Sequence, residues 1–129
     1  MARDDLEAMR ARFEAFSKAM RRHMRAEERI LFPVIYNHVG HDDGRTQRLR
    51  RDHHVIHDLI VRLRAALMAS QIADCLALYE TLSVVMRRHT LAEESELCPL
   101  IEEALGKFGQ HAIAARLQIA GMSPARHDN

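Results

Sequence analysis

His23-Met24-Arg25-Ala26-Glu27-Glu28 returns 66 residues later as His89-Thr90-Leu91-Ala92-Glu93-Glu94, and His53-His54-Val55-Ile56-His57 stands between the two. Side chains four apart share one face of a helix, so each H-x-x-x-E and the H-x-x-x-H present two metal-type ligands in one direction. Three such pairs on three helices can converge on one buried site. The pattern therefore predicts a metal centre inside a helical bundle, with His23, Glu27, His53, His57, His89 and Glu93 as its ligands.

The similarity extends beyond the six-residue segments. Shifting residues 13–40 by 66 gives thirteen identities in 28 positions, among them His23/His89, Glu27/Glu93, Glu28/Glu94, Pro33/Pro99 and Gly40/Gly106. The first and third helices are thus an internal repeat.

Apolar residues set the frame around these ligands. Leu6, Met9, Phe13, Phe16, Met20, His23, Glu27, Ile30 and Val34 alternate at three and four, which predicts a first helix over about 4–36 with both ligands on its core stripe. Gly40, Asp42, Asp43 and Gly44 mark a loop. A second helix, about 45–69, carries Leu49, His53, Ile56, Ile60, Leu63 and Leu67, with His57 one turn past His53. After a break near Ser70, a third helix, about 72–105, carries Cys75, Tyr79, Leu82, Met86, His89, Glu93 and Leu100. Gly106 reads as its stop. A short amphipathic segment, about 108–120, has Ile113 and Leu117 to bury, and 121–129 is expected to be a disordered tail. With 129 residues, five Gly and three Pro, the chain is expected to be one all-α domain over 1–120, an antiparallel up-and-down bundle of three long helices and a short fourth.

Composition removes several classes. The formal net charge of +1 balances 19 basic against 18 acidic residues and provides no field for nucleic acid or an anionic membrane. No run of about 18 apolar residues is present, and Met1-Ala2-Arg3-Asp4-Asp5 leads into charged helix, so a soluble, cytoplasmic protein is expected. Cys75 and Cys98 lie outside any C-x-x-C pair and read as reduced thiols, Cys75 in the core and Cys98 at its edge.

A polar group on a core stripe costs about 1–3 kcal/mol without a partner, and an ionised carboxylate costs more. A cation satisfies imidazole nitrogens and carboxylate oxygens together, which favours a metal over a purely structural polar network. Glu28, Glu94 and His54 lie about 100° off the core face, suited to orienting ligands or meeting solvent. Glu94 could also reach a metal. Glu96 sits where the repeat has Ile30, and either lines the pocket or yields its place to Leu97 on a slightly rotated helix. His38, His41 and His127 read as exposed residues, and His111 is a weak further candidate.

At these residues the chain resembles the hemerythrin-like (HHE cation-binding) family. The resemblance rests on His23 to Pro33, on Asp-His-x-x-Ile-His over Asp52 to His57, and on the second H-x-x-x-E-E from His89, and covers about 4–106. It implies a four-helix bundle enclosing two non-haem irons bridged by two carboxylates and an oxygen species. Carried over, His53, His57 and His89 would hold one iron, His23 the other, and Glu27 and Glu93 would bridge them. Nitrogen and oxygen ligands also suit manganese or zinc. The family's helix preceding the first repeat, with its further His, has no counterpart in this sequence. The expected consequences are an under-ligated second iron and an apolar face, which leads to an expected homodimer. The implied function is binding or sensing of O₂, NO or iron. The alternatives are a di-iron enzyme acting on peroxide or NO, and a helical dimerisation module with structural zinc or a polar core.

Overall fold

The computed structural model describes residues 3–106. The segment 108–120 and the tail, with His111 and His127, lie outside them. The described residues form three rods. The first consists of helix α1 (Arg3–Ala26), a π-helical turn (Glu27–Leu31) and α2 (Phe32–Val39). Helix α3 (Gly44–Met68) returns antiparallel, and α4 (Ile72–Ala92) leads through a second π-turn (Glu93–Leu97) into helical residues 98–106. No strand occurs among the described residues, and the architecture is the expected all-α, up-and-down bundle.

Local chemistry explains the corners. Gly40 ends α2 in the left-handed conformation, φ +86°, with its N–H on the Tyr36 carbonyl at 2.8 Å. Asp43 caps α3 by accepting from the Arg45 N–H at 2.8 Å. At the α3–α4 corner Ser70 holds φ +56°, and Arg10 of α1 donates from Nη2 to the Leu67 carbonyl at 2.7 Å and from Nε to the same oxygen at 3.1 Å. Arg64 ties α3 to α1 through Glu14 at 2.7 Å and Ser17 at 2.8 Å.

The π-turns fall at equivalent places in the two repeats, each beginning at the motif glutamate. Phe32 N–H bonds the Glu27 carbonyl and Cys98 N–H bonds the Glu93 carbonyl, five residues back. Pro33 and Pro99 follow one residue later. A proline inside an α-helix lacks its N–H and collides with the carbonyl four residues back, here Arg29 or Ser95, and a widened turn relieves that collision.

The extra residue also moves the apolar stripe on by one position. Leu31 and Ile35 are buried in the first rod, and Leu97 and Ile101 in the third, whereas Ile30 and Val34 are only partly buried. Each large side chain fully buried contributes roughly 1.5–3 kcal/mol. Glu96 is turned outward onto Arg48 at 3.0 Å, the rotated-helix outcome of the two that the sequence left open.

The core has two apolar blocks. Phe13, Met20, Ile56, Ile60, Leu63 and Leu82 fill one end, with Cys75 among them, and Leu31, Phe32, Ile35, Leu49 and Leu97 fill the other. Between them lies a polar layer containing Glu27, His53 and His89. Tyr79, expected on the core stripe, is 61% exposed because no described residue covers the side of the bundle between α1 and α4.

Candidate metal centre

His23, Glu27, His89 and Glu93 each offer a ligand atom, and these atoms all lie within 4.8 Å of one another. Helical spacing pairs them within each rod: Glu27 Oε1 is 2.5 Å from His23 Nε2, and Glu93 Oε1 is 2.5 Å from His89 Nε2. The rods then interlock, with Glu93 Oε1 3.3 Å from His23 Nε2 and Glu27 Oε1 3.6 Å from His89 Nε2. Glu27 is the centre of this arrangement. It is fully buried, and its other oxygen, Oε2, lies 3.4 Å from His53 Nε2 on α3.

The far nitrogens of two imidazoles are anchored. Glu28 Oε1 accepts from His53 Nδ1 at 2.8 Å, and Asp52 Oδ2 accepts from His89 Nδ1 at 3.2 Å. A carboxylate can only accept, so each Nδ1 carries a proton and Nε2 is the nitrogen left facing the centre, where a cation can take its lone pair in place of a second proton. Carboxylates that hold the outer nitrogen of a ligating histidine fix its tautomer and orientation. His53 is held further by stacking on Phe32, ring centres 5.7 Å apart.

Four buried atoms have no hydrogen-bond partner among the described residues: both Glu27 oxygens, His53 Nε2 and His89 Nε2. Buried polar atoms are normally paired, and nitrogens and carboxylate oxygens converging in this way demand protons or a cation between them. The donor set of imidazole nitrogen and carboxylate oxygen fits a first-row divalent cation. The same demand is seen in titration. Burial alone would lower the His23 and His89 values, but the carboxylates of Glu27 and Glu93 outweigh it and raise them to about 9 and about 10. Burial would raise the Glu27 carboxyl, yet His23, His53 and His89 together hold it far below the ordinary carboxylate range. Protons or a cation can balance this layer.

Of the six ligands expected from the sequence, the structure gathers His23, Glu27, His89 and Glu93, and places His53 against Glu27. It leaves His57 exposed, one turn further along α3 and outside the cluster. Glu28 orients His53, as its off-stripe position allowed, whereas Glu94 and His54 are exposed. Asp52 was the residue whose role the spacing did not reveal. Its signal was adjacency: one residue before His53 it lies about 100° round α3, on the side turned to α4.

A family model described as the hemerythrin HHE cation-binding domain matches residues 1–101. Comparison with curated proteins and with solved structures gave no match. Over that span, and with its histidines and glutamates gathered as described, the chain belongs to the hemerythrin HHE cation-binding family.

Proposed function

We propose that this protein is a non-haem iron protein of the di-iron type, whose irons would be held by His23, Glu27, His53, His89 and Glu93, and that the site binds or senses O₂, NO or iron. The observation that carries the reading is the set of four buried, partnerless lone-pair atoms on Glu27, His53 and His89, two of them on imidazoles whose opposite nitrogens are already fixed. The two oxygens of Glu27 face different histidines, Oε1 toward His23 and His89 and Oε2 toward His53, so each oxygen would be available to a cation held among those imidazoles.

Iron held here would supply an open coordination position and electrons for a small diatomic ligand. The protein's part is to hold the ligands still and keep water out. Asp52 and Glu28 keep the Nε2 lone pairs aimed inward, while Met20, Ile56 and Met86 border the layer on one side and Phe32 and Leu97 on the other.

The test is metal content and the ultraviolet–visible spectrum of protein purified from iron-supplemented cells, compared with the His89→Ala variant. A pair of irons per chain, charge-transfer absorption under air, and loss of both in the variant are expected. Zinc without colour, or wild-type iron content in His89→Ala, would overturn the proposal.

A further inference from the structure

Three of the contacts around the His53 imidazole come from one π-turn and the residue that closes it. Glu27 Oε2 lies 3.4 Å from Nε2, and Glu28 Oε1 accepts from Nδ1 at 2.8 Å. The Phe32 ring lies against the imidazole, with centres 5.7 Å apart and planes 19° from parallel. Phe32 is tied to the same turn through its N–H on the Glu27 carbonyl, and its side chain is fully buried. Arg50, one turn before His53 on α3, places its guanidinium carbon 5.3 Å from the centre of the same ring. Residues three apart are neighbours on a helix surface, so one buried ring meets both side chains.

A hydrogen bond at one nitrogen fixes the tautomer but not the plane of an imidazole. The ring can still swing about the Nδ1 to Oε1 line, and Glu28 is half exposed, where water competes for its carboxylate. A cation binds along the Nε2 lone pair, which lies in the ring plane, so the plane matters as much as the tautomer. His89 meets His53 at 58° and offers no parallel face. The place equivalent to Phe32 in the second repeat is Cys98, which has no ring. Phe32 is thus the one side chain of the two repeats' π-turn caps against which a histidine can be levelled.

We infer that Phe32, held by Arg50, is a positioning residue that sets the plane of the His53 imidazole toward the metal. The inference rests on the proposed iron site for what the levelled ring binds. Arg50 acts through the ring, and the sign of its effect shows this. Removing a positive charge near a cation site relieves repulsion and would tighten binding, whereas loosening Phe32 weakens it.

The test uses the full chain and has two readouts: ferrous ion affinity by competition with a chelator, and the ¹H–¹⁵N signal of His53 Nδ1–H in the metal-free protein, assigned by its loss in His53→Gln. Phe32→Leu should weaken ferrous binding roughly tenfold or more, as loss of a group that orients a ligating histidine does. Arg50→Gln should weaken it about two- to fivefold, the range of an exposed cation–π contact. The double variant should bind no more weakly than Phe32→Leu, because both changes act on one ring. The Nδ1–H signal should be sharp in the unaltered chain and broadened in each single variant. Unchanged affinity and signal in Phe32→Leu would overturn the inference, as would tighter binding in Arg50→Gln or an Arg50→Gln effect that persists in full without the Phe32 ring. Arg50 is exposed, so if Phe32→Leu fails to fold, Arg50→Gln decides alone by the sign of its effect and by the signal. An unaltered chain that takes up no iron would defeat the iron reading, and the metal-free signal would still decide whether Phe32 levels His53.

Discussion

Asp52 on α3 accepts a hydrogen bond from Nδ1 of His89 on α4 at 3.2 Å, and so one acidic side chain fixes which nitrogen of its neighbour faces the centre. Glu28 does the same for His53 from the first rod at 2.8 Å, and Glu93 approaches His23 from the third rod at 3.3 Å. Carboxylate–imidazole contacts therefore join rod one to α3, α3 to rod three, and rod three back to rod one. The polar layer is a ring that ties all three rods together, and it places the metal chemistry and the packing in the same few residues.

Replacing Asp52 by Ala is expected to weaken iron binding roughly 10- to 100-fold, the usual cost of losing a carboxylate that orients a ligating histidine. Asp52 is partly exposed, so helical content should not change. Glu28→Ala should act in the same direction through His53. Competition of each variant with a chelator of known strength measures the effect, and unchanged affinity in both would show that the imidazoles are positioned by packing alone.

Iron uptake is expected to release protons at neutral pH. With His23 raised to about 9 and His89 to about 10 from an ordinary 6.5, both imidazoles carry protons at pH 7 in the metal-free protein. A cation must displace them, so affinity should climb with pH and level off only above about 10. The stability of the metal-free protein should move the opposite way. The contribution of the raised histidines is fully present below 6.5 and lost as pH rises through 9 to 10, while that of the lowered Glu27 carboxyl is present above 4.5 and lost as pH falls. Calorimetry in two buffers of different ionisation heat counts the released protons, and melting curves with and without chelator follow stability. Uptake without proton release at pH 7 would contradict this account.

Much of this arrangement was legible in the chain. On α3 the stripe Leu49, His53, Ile56, Ile60, Leu63 and Leu67 is buried throughout, because nothing interrupts the α-helical period there. In the two rods the count holds as far as Glu27 and Glu93 and then slips by one, since a π-turn adds a residue of phase without a glycine to mark it. Two signals were present: Pro33 and Pro99 inside otherwise helical runs, and the identities Leu31/Leu97 and Ile35/Ile101, which coincide with the buried residues, whereas Ile30 aligns in the repeat with the charged Glu96. The gathering of His23, Glu27, His89 and Glu93 was legible because these residue types repeat at a spacing of four. Asp52 and the exposure of His57 were not, because they depend on how α3 is rotated against its neighbours, a tertiary quantity that spacing does not contain.

At the α3–α4 corner, Ser70 occupies a left-handed conformation that costs an L-residue about 1–2 kcal/mol relative to glycine. Ser70→Gly is expected to stabilise the protein by up to about 1 kcal/mol. Arg10→Ala, which strips the Leu67 carbonyl of its guanidinium donors, should destabilise by about 1–2 kcal/mol. Urea denaturation of the metal-free protein gives both values. A Ser70→Gly variant less stable than the unaltered chain would mean that the hydroxyl's contact with Arg10, at 3.3 Å, outweighs the backbone relief.

Two causes could dictate the π-turn after Glu93, and deletion separates them. Pro99 requires a widened turn because its ring meets the Ser95 carbonyl, and the core requires one extra residue because Leu97, not Glu96, must enter it. Deleting Ser95, which is exposed and whose hydroxyl bonds the Leu91 carbonyl at 2.7 Å, removes that residue and lets an α-turn carry Leu97 to the same place on the stripe. What remains is the proline collision, worth about 3 kcal/mol, so the deletion alone should be destabilising by that amount. Combined with Pro99→Ala, the deletion should recover most of the loss with Leu97, Leu100 and Ile101 still buried. Pro99→Ala without the deletion should change stability by less than about 1 kcal/mol, because turning Glu96 into an apolar core costs more than the π-turn does. Equilibrium unfolding of the three variants decides the matter. If Pro99→Ala fails to rescue the deletion, the widened turn is held by the core and by Glu93 itself, and the proline merely tolerates it.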